Sequence, residues 1–113
     1  MLFLVMGENM DPGYLMPPEQ SMQVIEQAVV PSFQILGQYA QQGKLKGGTY
    51  PGERGGAFVI EADNLEDLDS IMNHLPFFGL IKWNVKPLVP FQTSAQQLPQ
   101  YIRDLRQAMQ GGR

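Results

Sequence analysis

Two kinds of hydrophobic pattern alternate along the chain, and the first is the short apolar run. Continuous apolar runs at residues 1–6 and 56–62 predict two strands that are buried on both faces. A glycine-interrupted run at residues 44–50 and an alternating run at residues 80–87 predict two weaker strands that carry lysine. Of the four predicted strands, only the first and the third are therefore apolar nearly throughout.

The second pattern is the helix-spaced apolar stripe. Such stripes predict helices over residues 18–42, 65–75 and 94–109. Asp63 or Asn64 is expected to cap the second helix. Pro31 removes a backbone hydrogen bond inside the first helix, so we expect a kink or a break near residues 27–31. The Gly- and Pro-containing segment 7–18, between the first strand and the first helix, predicts a long loop.

The element order is strand, helix, strand, strand, helix, strand, helix. Two βαβ halves in this order predict a ferredoxin-like α+β sandwich with an extra C-terminal helix. Right-handed crossovers would place the first and third strands in the centre of the sheet and the other two at its edges, in agreement with the two most apolar runs. We assign residues 1–92 to the sandwich domain and residues 93–113 to a helical extension.

The central strands are apolar on both faces, yet two helices cover only one face of a four-stranded sheet. The second face would be an exposed apolar patch, which is typical of a protein interface. We predict a homodimer or a higher homo-oligomer in which two sheets pack face to face as a dimeric α/β barrel. The competing arrangement is that the C-terminal helix folds back over the sheet of its own chain.

Composition narrows the possible functions. The 113-residue chain has eight Lys or Arg and eleven Asp or Glu residues, and its basic residues are scattered, which argues against a nucleic-acid partner. It has no cysteine and one histidine, so we expect no metal site. No apolar run approaches the ~20 residues of a membrane helix, and residues 1–6 lack the basic flank of a signal peptide. We expect a cytoplasmic protein with no membrane partner.

Three residues are candidate proton-transfer groups. Glu8 and Glu61 lie near the ends of the first and third strands, which we expect to run in parallel, so the two carboxylates would converge at one end of the sheet. Burial among apolar side chains would raise the pKa of a carboxyl and suit it to acid–base chemistry. The alternative is a pair of exposed strand-end charges. His74 is the third candidate, and its alternative role is contact with the carbonyl end of the second helix.

Three further residues are predicted to bind a substrate. Arg54 lies beside Glu53 in a glycine-rich hairpin at residues 51–55, and a guanidinium suits a carboxylate or an enolate oxygen. The alternative is an ordinary solvated turn. Tyr50 precedes the hairpin and Trp83 lies on the apolar side of the fourth strand, so both are expected to line a pocket or, alternatively, to belong to the core.

Two short motifs resemble those of the muconolactone isomerase family. The chain begins Met-Leu-Phe, and residues 75–78 read Leu-Pro-Phe-Phe before the fourth strand. With the element order of residues 1–92, this resemblance implies a dimeric α/β barrel whose pocket holds a small, partly apolar molecule without metal or nucleotide. Leu4 stands where the isomerases are expected to have histidine, and residues 44–53 are glycine-rich where they carry Trp, Arg and His. Both departures argue against muconolactone itself as the substrate.

The resulting hypothesis is a small-molecule isomerase or cyclase-like enzyme that moves a proton on a lactone or related carbonyl compound without a cofactor. Glu8, Glu61 or His74 would be the acid or base, and Arg54 would orient the substrate. A non-catalytic ligand-binding or assembly protein is the alternative hypothesis. It is suggested by the shortage of polar groups expected to be buried and by the extra C-terminal helix.

Overall fold

The computed structural model describes residues 1–9 and 16–111, which form one four-stranded sheet and its helices. The strands are β1 (Leu2–Asn9), β2 (Leu45–Thr49), β3 (Gly55–Glu61) and β4 (Ile81–Leu88). The helices are α1 (Pro18–Val24), α2 (Val30–Gln41), α3 (Leu65–Asn73) and α4 (Phe91–Gly111), with a π turn at Ile25–Val29 and a 3₁₀ turn at Phe78–Leu80. The predicted α+β class and element order are confirmed.

The sheet order is β2-β3-β1-β4, so the two most apolar strands occupy the centre, as predicted. All neighbouring strands are antiparallel, and the expectation that β1 and β3 run in parallel is wrong. The connections explain the difference. The helical crossover makes β2 parallel to β1, and the hairpin after β2 returns β3 between them in the opposite direction.

The segment predicted as a long loop is partly strand. Strand β1 continues through Gly7, Glu8 and Asn9. Gly7 and Glu8 pair with both β3 and β4, and Asn9 pairs with β4. The first helix begins at Pro18, a favoured residue in the first turn of a helix. The remainder of the predicted loop, residues 10–15, lies outside the described residues.

One face of the sheet packs against helices and forms the core. Phe3, Val5 and Ile60 of the central strands are fully buried there. Helix α3 covers them with an apolar stripe that begins after its cap, where the Asn64 side chain accepts a hydrogen bond from the Asp67 N–H (2.8 Å). The buried side chains from α3 and the segment after it are Leu68, Ile71, Met72, Leu75 and Phe77.

The first helix continues past Pro31 because a π turn precedes it. Backbone angles stay right-handed helical from Val24 to Val30, so the helix is not split. The wider π turn puts Pro31 in the first turn of α2, where a missing N–H disturbs least. The adjacent Ser32 is fully buried; its hydroxyl donates to the Ala28 carbonyl (2.6 Å) and accepts from the Phe77 N–H (3.0 Å). Ser32 thereby fastens the first helix to the segment after α3.

Helix α4 projects from the rest of the protein. It begins at Phe91, earlier than predicted, because the Pro90 carbonyl accepts a helical hydrogen bond from the Ser94 N–H (3.1 Å). The protein measures 69 × 32 × 25 Å, and a 21-residue helix is about 32 Å long, so α4 accounts for much of the long dimension. Its apolar side chains are exposed. Within one protomer, the idea that the C-terminal helix folds back over its own sheet is therefore wrong.

Pro99 lies inside α4 and deprives it of a backbone hydrogen bond. An interior proline costs a helix about 3 kcal/mol, and most of the stability of a protein helix comes from packing of its apolar face. The described part of the chain supplies no such packing for the apolar side chains of α4. Across residues 1–9 and 16–111, no helix has both the length and the apolarity that crossing a membrane requires. The division of the chain after residue 92 stays a prediction.

Candidate functional site

The helix-facing side of the sheet holds a large cavity where its side chains are small. The strand ladders place Thr49, Gly56, Gly7 and Trp83 in one row across all four strands. All four line a cavity of about 550 Å³. Two adjacent glycines in the middle of the row leave the sheet without side chains there, and the volume falls within the range of small-molecule sites, ~300–1,000 Å³.

Gly7 determines how closely Trp83 approaches the floor of the cavity. A Cβ atom at Gly7 would lie 2.8 Å from the Ile81 Cγ2 and 2.9 Å from the Trp83 ring. Such distances are shorter than van der Waals contact, so any larger residue would push these side chains away. A glycine inside an apolar strand often marks such a close approach.

The roof of the cavity comes from the first helix. Ile25 and Val29 of the π turn and Phe33 and Leu36 of α2 line it. Phe33 is 47% exposed because the cavity opens to solvent beside it. The helix-spaced stripe read from the sequence is therefore mostly a cavity wall, and its residues bury little against their own protomer.

Aromatic rings form one wall of the cavity. Phe77 packs edge-on between Phe33 and Trp83, with ring centroids 5.9 and 5.8 Å away. Phe78 stacks on Trp83 at 6.2 Å, and its carbonyl accepts a hydrogen bond from the Trp83 Nε1–H (3.0 Å). Because that N–H is engaged, Trp83 offers a ligand its apolar ring surface.

The polar end of the cavity belongs to the hairpin between β2 and β3. Tyr50, Glu53 and Arg54 line it there. Gly52 takes the left-handed backbone conformation (φ 77°) that the turn requires, and the Tyr50 N–H donates to the Gly55 carbonyl (2.9 Å). This tight turn brings a phenol, a carboxylate and a guanidinium to one side of an otherwise apolar cavity.

The hairpin charges are available to a ligand. The Asn9 N–H donates to the Arg54 carbonyl (3.0 Å), which fixes the Arg54 backbone against β1. Both the Glu53 and the Arg54 side chains are exposed. Among the described residues, neither side chain has a hydrogen-bond or ion-pair partner. A ligand that enters the cavity would thus meet a carboxylate and a guanidinium that no side chain of residues 1–9 or 16–111 occupies.

The sequence-predicted site residues divide into two groups. Tyr50, Arg54 and Trp83 line the same cavity. Glu8, Glu61 and His74 do not line it. Three residues that do line it, Glu53, Gly7 and Phe77, are not among the predicted site residues. The adjacency of Glu53 to Arg54 was a visible signal, whereas Gly7 was expected in a loop.

The predicted convergence of Glu8 and Glu61 is wrong because their strands are antiparallel. Glu8 pairs with Gly55 at one end of the β1–β3 ladder, and Glu61 pairs with Leu2 at the other. Six residues of strand separate these pairs, about 20 Å. Glu61 instead forms an ion pair with the amino group of Met1 (2.7 Å).

His74 lies at the C-terminal end of α3. Its ring Nδ1 hydrogen-bonds to the Ser70 carbonyl, and its side chain is exposed. This is the helix-end role that the sequence offered as the alternative to catalysis. Within the described ranges no three His, Cys, Asp or Glu side chains are grouped as metal ligands would be.

Comparisons with known proteins identify the fold. Neither the protein-family models nor the curated proteins give a match. Among solved structures, the chain is similar to muconolactone isomerase, with a TM-score of 0.64 and 20% identity over 80% of this chain and 90% of that one. It is also similar to a 5-chloro-2-hydroxyhydroquinone dehydrochlorinase of Burkholderia phenoliruptrix AC1100 in complex with 2,5-dihydroxybenzoquinone, with a TM-score of 0.59 and 22% identity over 79% and 94% of the two chains. The predicted resemblance to muconolactone isomerase is confirmed at the level of the fold.

Proposed function

We propose that this protein is a small-molecule isomerase or cyclase-like enzyme that moves a proton on a cyclic carbonyl compound. The observation that carries the proposal is the make-up of the cavity, with apolar and aromatic walls and with Tyr50, Glu53 and Arg54 at one end. The names of the two similar proteins describe enzymes of small oxygenated rings, a lactone and a chlorinated hydroxyhydroquinone. They are fold-level analogies for this substrate class, and the proposal itself rests on the cavity residues.

The cavity suits a ring with one polar end. The flat apolar part of the ligand would pack against Trp83, Phe77 and Phe33, whose rings already line one wall. An oxygen of the ligand, as a carboxylate or a carbonyl, would face the Arg54 guanidinium, which binds such groups through two parallel N–H donors. A lactone or quinone carrying an acidic group has this shape.

The proposed reaction is an internal proton shift. The Glu53 carboxylate takes a proton from the carbon next to the carbonyl, and the bond electrons move onto the carbonyl oxygen to give an enolate. Arg54 stabilises the negative oxygen. The carboxylic acid then returns the proton to another carbon of the conjugated system. Nothing is gained or lost, so the product is an isomer and no cofactor is consumed.

Glu53 takes the acid–base role because a general base must reach the proton that it removes. It lines the cavity and lies next to Arg54 in the chain. Glu61 is held by the Met1 amino group, and His74 by a helix carbonyl. Glu53 thus replaces Glu8, Glu61 and His74 as the proposed acid–base group. This is the main change from the sequence-based hypothesis.

A non-catalytic ligand-binding protein is the second candidate, and one observation favours it. Glu53 and Arg54 are exposed at the open side of the cavity, whereas proton transfer from carbon is favoured by exclusion of water. In that case the cavity would hold its ligand by apolar contact and one ion pair, without turnover.

We also propose that the sheet face opposite the helices packs against a second copy of the chain. On this face the ladders bring together half-buried apolar residues, with charged residues of both signs around them. The apolar members are Leu2, Leu4, Met6, Ala57, Val59 and Leu88, and the charged ones are Glu8, Lys46, Glu61, Lys82 and Lys86. A mixed-charge rim around an apolar centre is self-complementary under two-fold symmetry.

Ligand binding is testable through Trp83, the only tryptophan of the chain. We expect 2,5-dihydroxybenzoquinone to quench its fluorescence saturably, and Arg54→Met to weaken binding about tenfold because the anionic ligand loses a charge-assisted partner. Arg103→Met makes the same change on α4 and should leave affinity unaltered. Linear quenching that matches free tryptophan, or equal affinities for both variants, would contradict the site.

Proton transfer is testable without knowing the natural substrate. With muconolactone and other unsaturated lactones in D₂O, proton NMR follows replacement of the hydrogen next to the carbonyl by deuterium. We expect Glu53→Gln to slow enzyme-dependent exchange about 100-fold or more and the matched Glu61→Gln to leave it unchanged. Saturable quinone binding with no exchange on any lactone tested would favour the ligand-binding alternative.

A further inference from the structure

The exposed side of α4 carries a regular apolar seam. Its members are separated alternately by four and three residues, the spacing of the a and d positions of a coiled-coil heptad. They are Phe91, Ala95, Leu98, Ile102, Leu105 and Met109. All six are exposed, and Phe91 is 94% exposed. The seam therefore has the periodicity of a helix interface and no partner within the described part of its protomer.

The protomer exposes more surface than a compact protein of the same mass. The accessible surface of the protomer is 8530 Å², whereas a compact protein of 12.7 kDa exposes about 6,200 Å². The radius of gyration is 19.8 Å, against about 13 Å for a compact chain of this length. The excess of roughly 2,300 Å² exceeds the ~800 Å² that each partner of a standard interface buries. The protomer therefore exposes enough surface for an interface of standard size.

We propose that α4 forms a parallel two-stranded coiled coil with α4 of a second copy of this chain. Ile102 occupies an a position, and Leu98 and Leu105 occupy d positions, the combination that favours two strands over three or four in a parallel coiled coil. In this register Arg106 (position e) faces Tyr101 (position g) of the other copy, which suits a guanidinium–aromatic contact.

The residues around the seam favour a second copy over a different protein. The charged residues Arg103 and Asp104 lie at outer positions of the heptad. Both are hydrogen-bonded to Gln100, which accepts from Arg103 (2.7 Å) and donates to Asp104 (2.8 Å). The flanking e and g positions carry a single charge, Arg106. No block of one charge sign is present along the seam to select an oppositely charged partner.

This pairing is separate from the proposed reaction and from the proposed sheet-to-sheet contact. It uses none of the cavity residues, and α4 does not cover the open sheet face of its own protomer. The two contacts use different residues, so failure of one proposal leaves the other standing.

Engineered cysteines test the pairing directly, because the chain has none of its own. Leu98→Cys, Ile102→Cys and Leu105→Cys place one thiol each on the seam, where identical positions of a parallel pair face each other. Gln100→Cys and Gln107→Cys place it on the opposite side, beyond the ~7 Å Cα separation that a disulfide tolerates. After mild oxidation of the full chain, we expect about tenfold more disulfide-linked dimer from each seam variant than from either control on a non-reducing gel.

Two outcomes would overturn the proposal. Equal, slow cross-linking at seam and control positions would indicate random collision, and cross-linking at Ile102 alone would indicate helices that cross without running in parallel. Spin labels on Gln107→Cys give a second measurement that needs no disulfide. A single interlabel distance of about 20–30 Å, as expected across a helix pair with labels on its outer sides, supports the pairing, and absence of any dipolar coupling refutes it.

Discussion

The helix-facing side of the sheet has two halves that the same strands build in different ways. Toward one end, Phe3, Ile60 and Leu45 lie side by side and fill the space below the helices. Toward the other end, Gly7 and Gly56 occupy equivalent positions on the same strands, and the space is a cavity. We call these the filled half and the open half.

The comparison shows that backbone topology alone does not decide whether a sheet face becomes a core or a binding site. Moving four residues along β1, from Phe3 to Gly7, keeps the residue on the same face and removes an aromatic side chain. The helical roof and the aromatic ring of Trp83 then border a space that nothing from the sheet fills. A few small residues at one end are enough to make a site.

Removing a core side chain from the filled half should have the largest effect on stability. Phe3 is fully buried in the core, so Phe3→Ala is expected to lower the free energy of unfolding by about 3–5 kcal/mol. Urea denaturation followed by circular dichroism measures the change. Phe33→Ala is the matched substitution in the open half, where the ring is 47% exposed, and should cost less than half as much. Equal losses would mean that the two halves do not differ in packing.

Cutting the contact that fastens the first helix to the segment after α3 should have the next largest effect. Ser32→Ala removes the only acceptor that the described residues provide for the buried Phe77 N–H, and an unsatisfied buried donor costs about 1–3 kcal/mol. Ser70→Ala makes the same change at an exposed site of α3 and should alter stability by under ~0.5 kcal/mol. If both variants unfold at the same denaturant concentration, the Ser32 contact does not stabilise the fold.

Filling the open half should affect binding more than folding. In Gly7→Ala the new methyl group would meet Ile81 and the Trp83 ring at less than 3 Å, so the ring must shift and the protein should lose about 1 kcal/mol. Quinone affinity, read from Trp83 fluorescence, should fall about tenfold or more, since 1.4 kcal/mol of lost contact is a factor of ten.

Gly79→Ala is the control for that substitution, because a Cβ atom at Gly79 has no neighbour within 4 Å. It should leave both affinity and stability nearly unchanged. Tight binding retained in Gly7→Ala would show that the ligand lies elsewhere in the cavity, away from the glycine row.

The sequence was sufficient for the architecture because the architecture follows from patterns within single elements. Apolar runs identify both central strands. The predicted first helix ends at residue 42, and the next residue, Gly43, has the left-handed angle (φ 74°) that glycine allows after a helix. Tyr50, Arg54 and Trp83 were also identified as pocket candidates from their local context alone.

The rest depended on which residues face each other, which single elements do not reveal. The expected convergence of Glu8 and Glu61 assumes that their strands are parallel. Because β3 runs antiparallel to β1, the two residues lie at opposite ends of the ladder. Gly7 is predicted as the first residue of a loop, because its role in the cavity exists only opposite Trp83. The direction in which α4 leaves the sheet was likewise undetermined by its own amphipathic pattern.

The smallest effect should come from His74, one of the three titratable residues predicted for the site that do not line the cavity. Within the described residues its ring hydrogen-bonds only to the Ser70 carbonyl, and it is exposed, so His74→Ala should change the free energy of unfolding by under ~0.5 kcal/mol. Quinone affinity and lactone exchange should equal those of the unmodified protein, in contrast to Glu53→Gln. A slowed exchange rate in His74→Ala, with binding intact, would return His74 to the reaction and would require a cavity that reaches the end of α3.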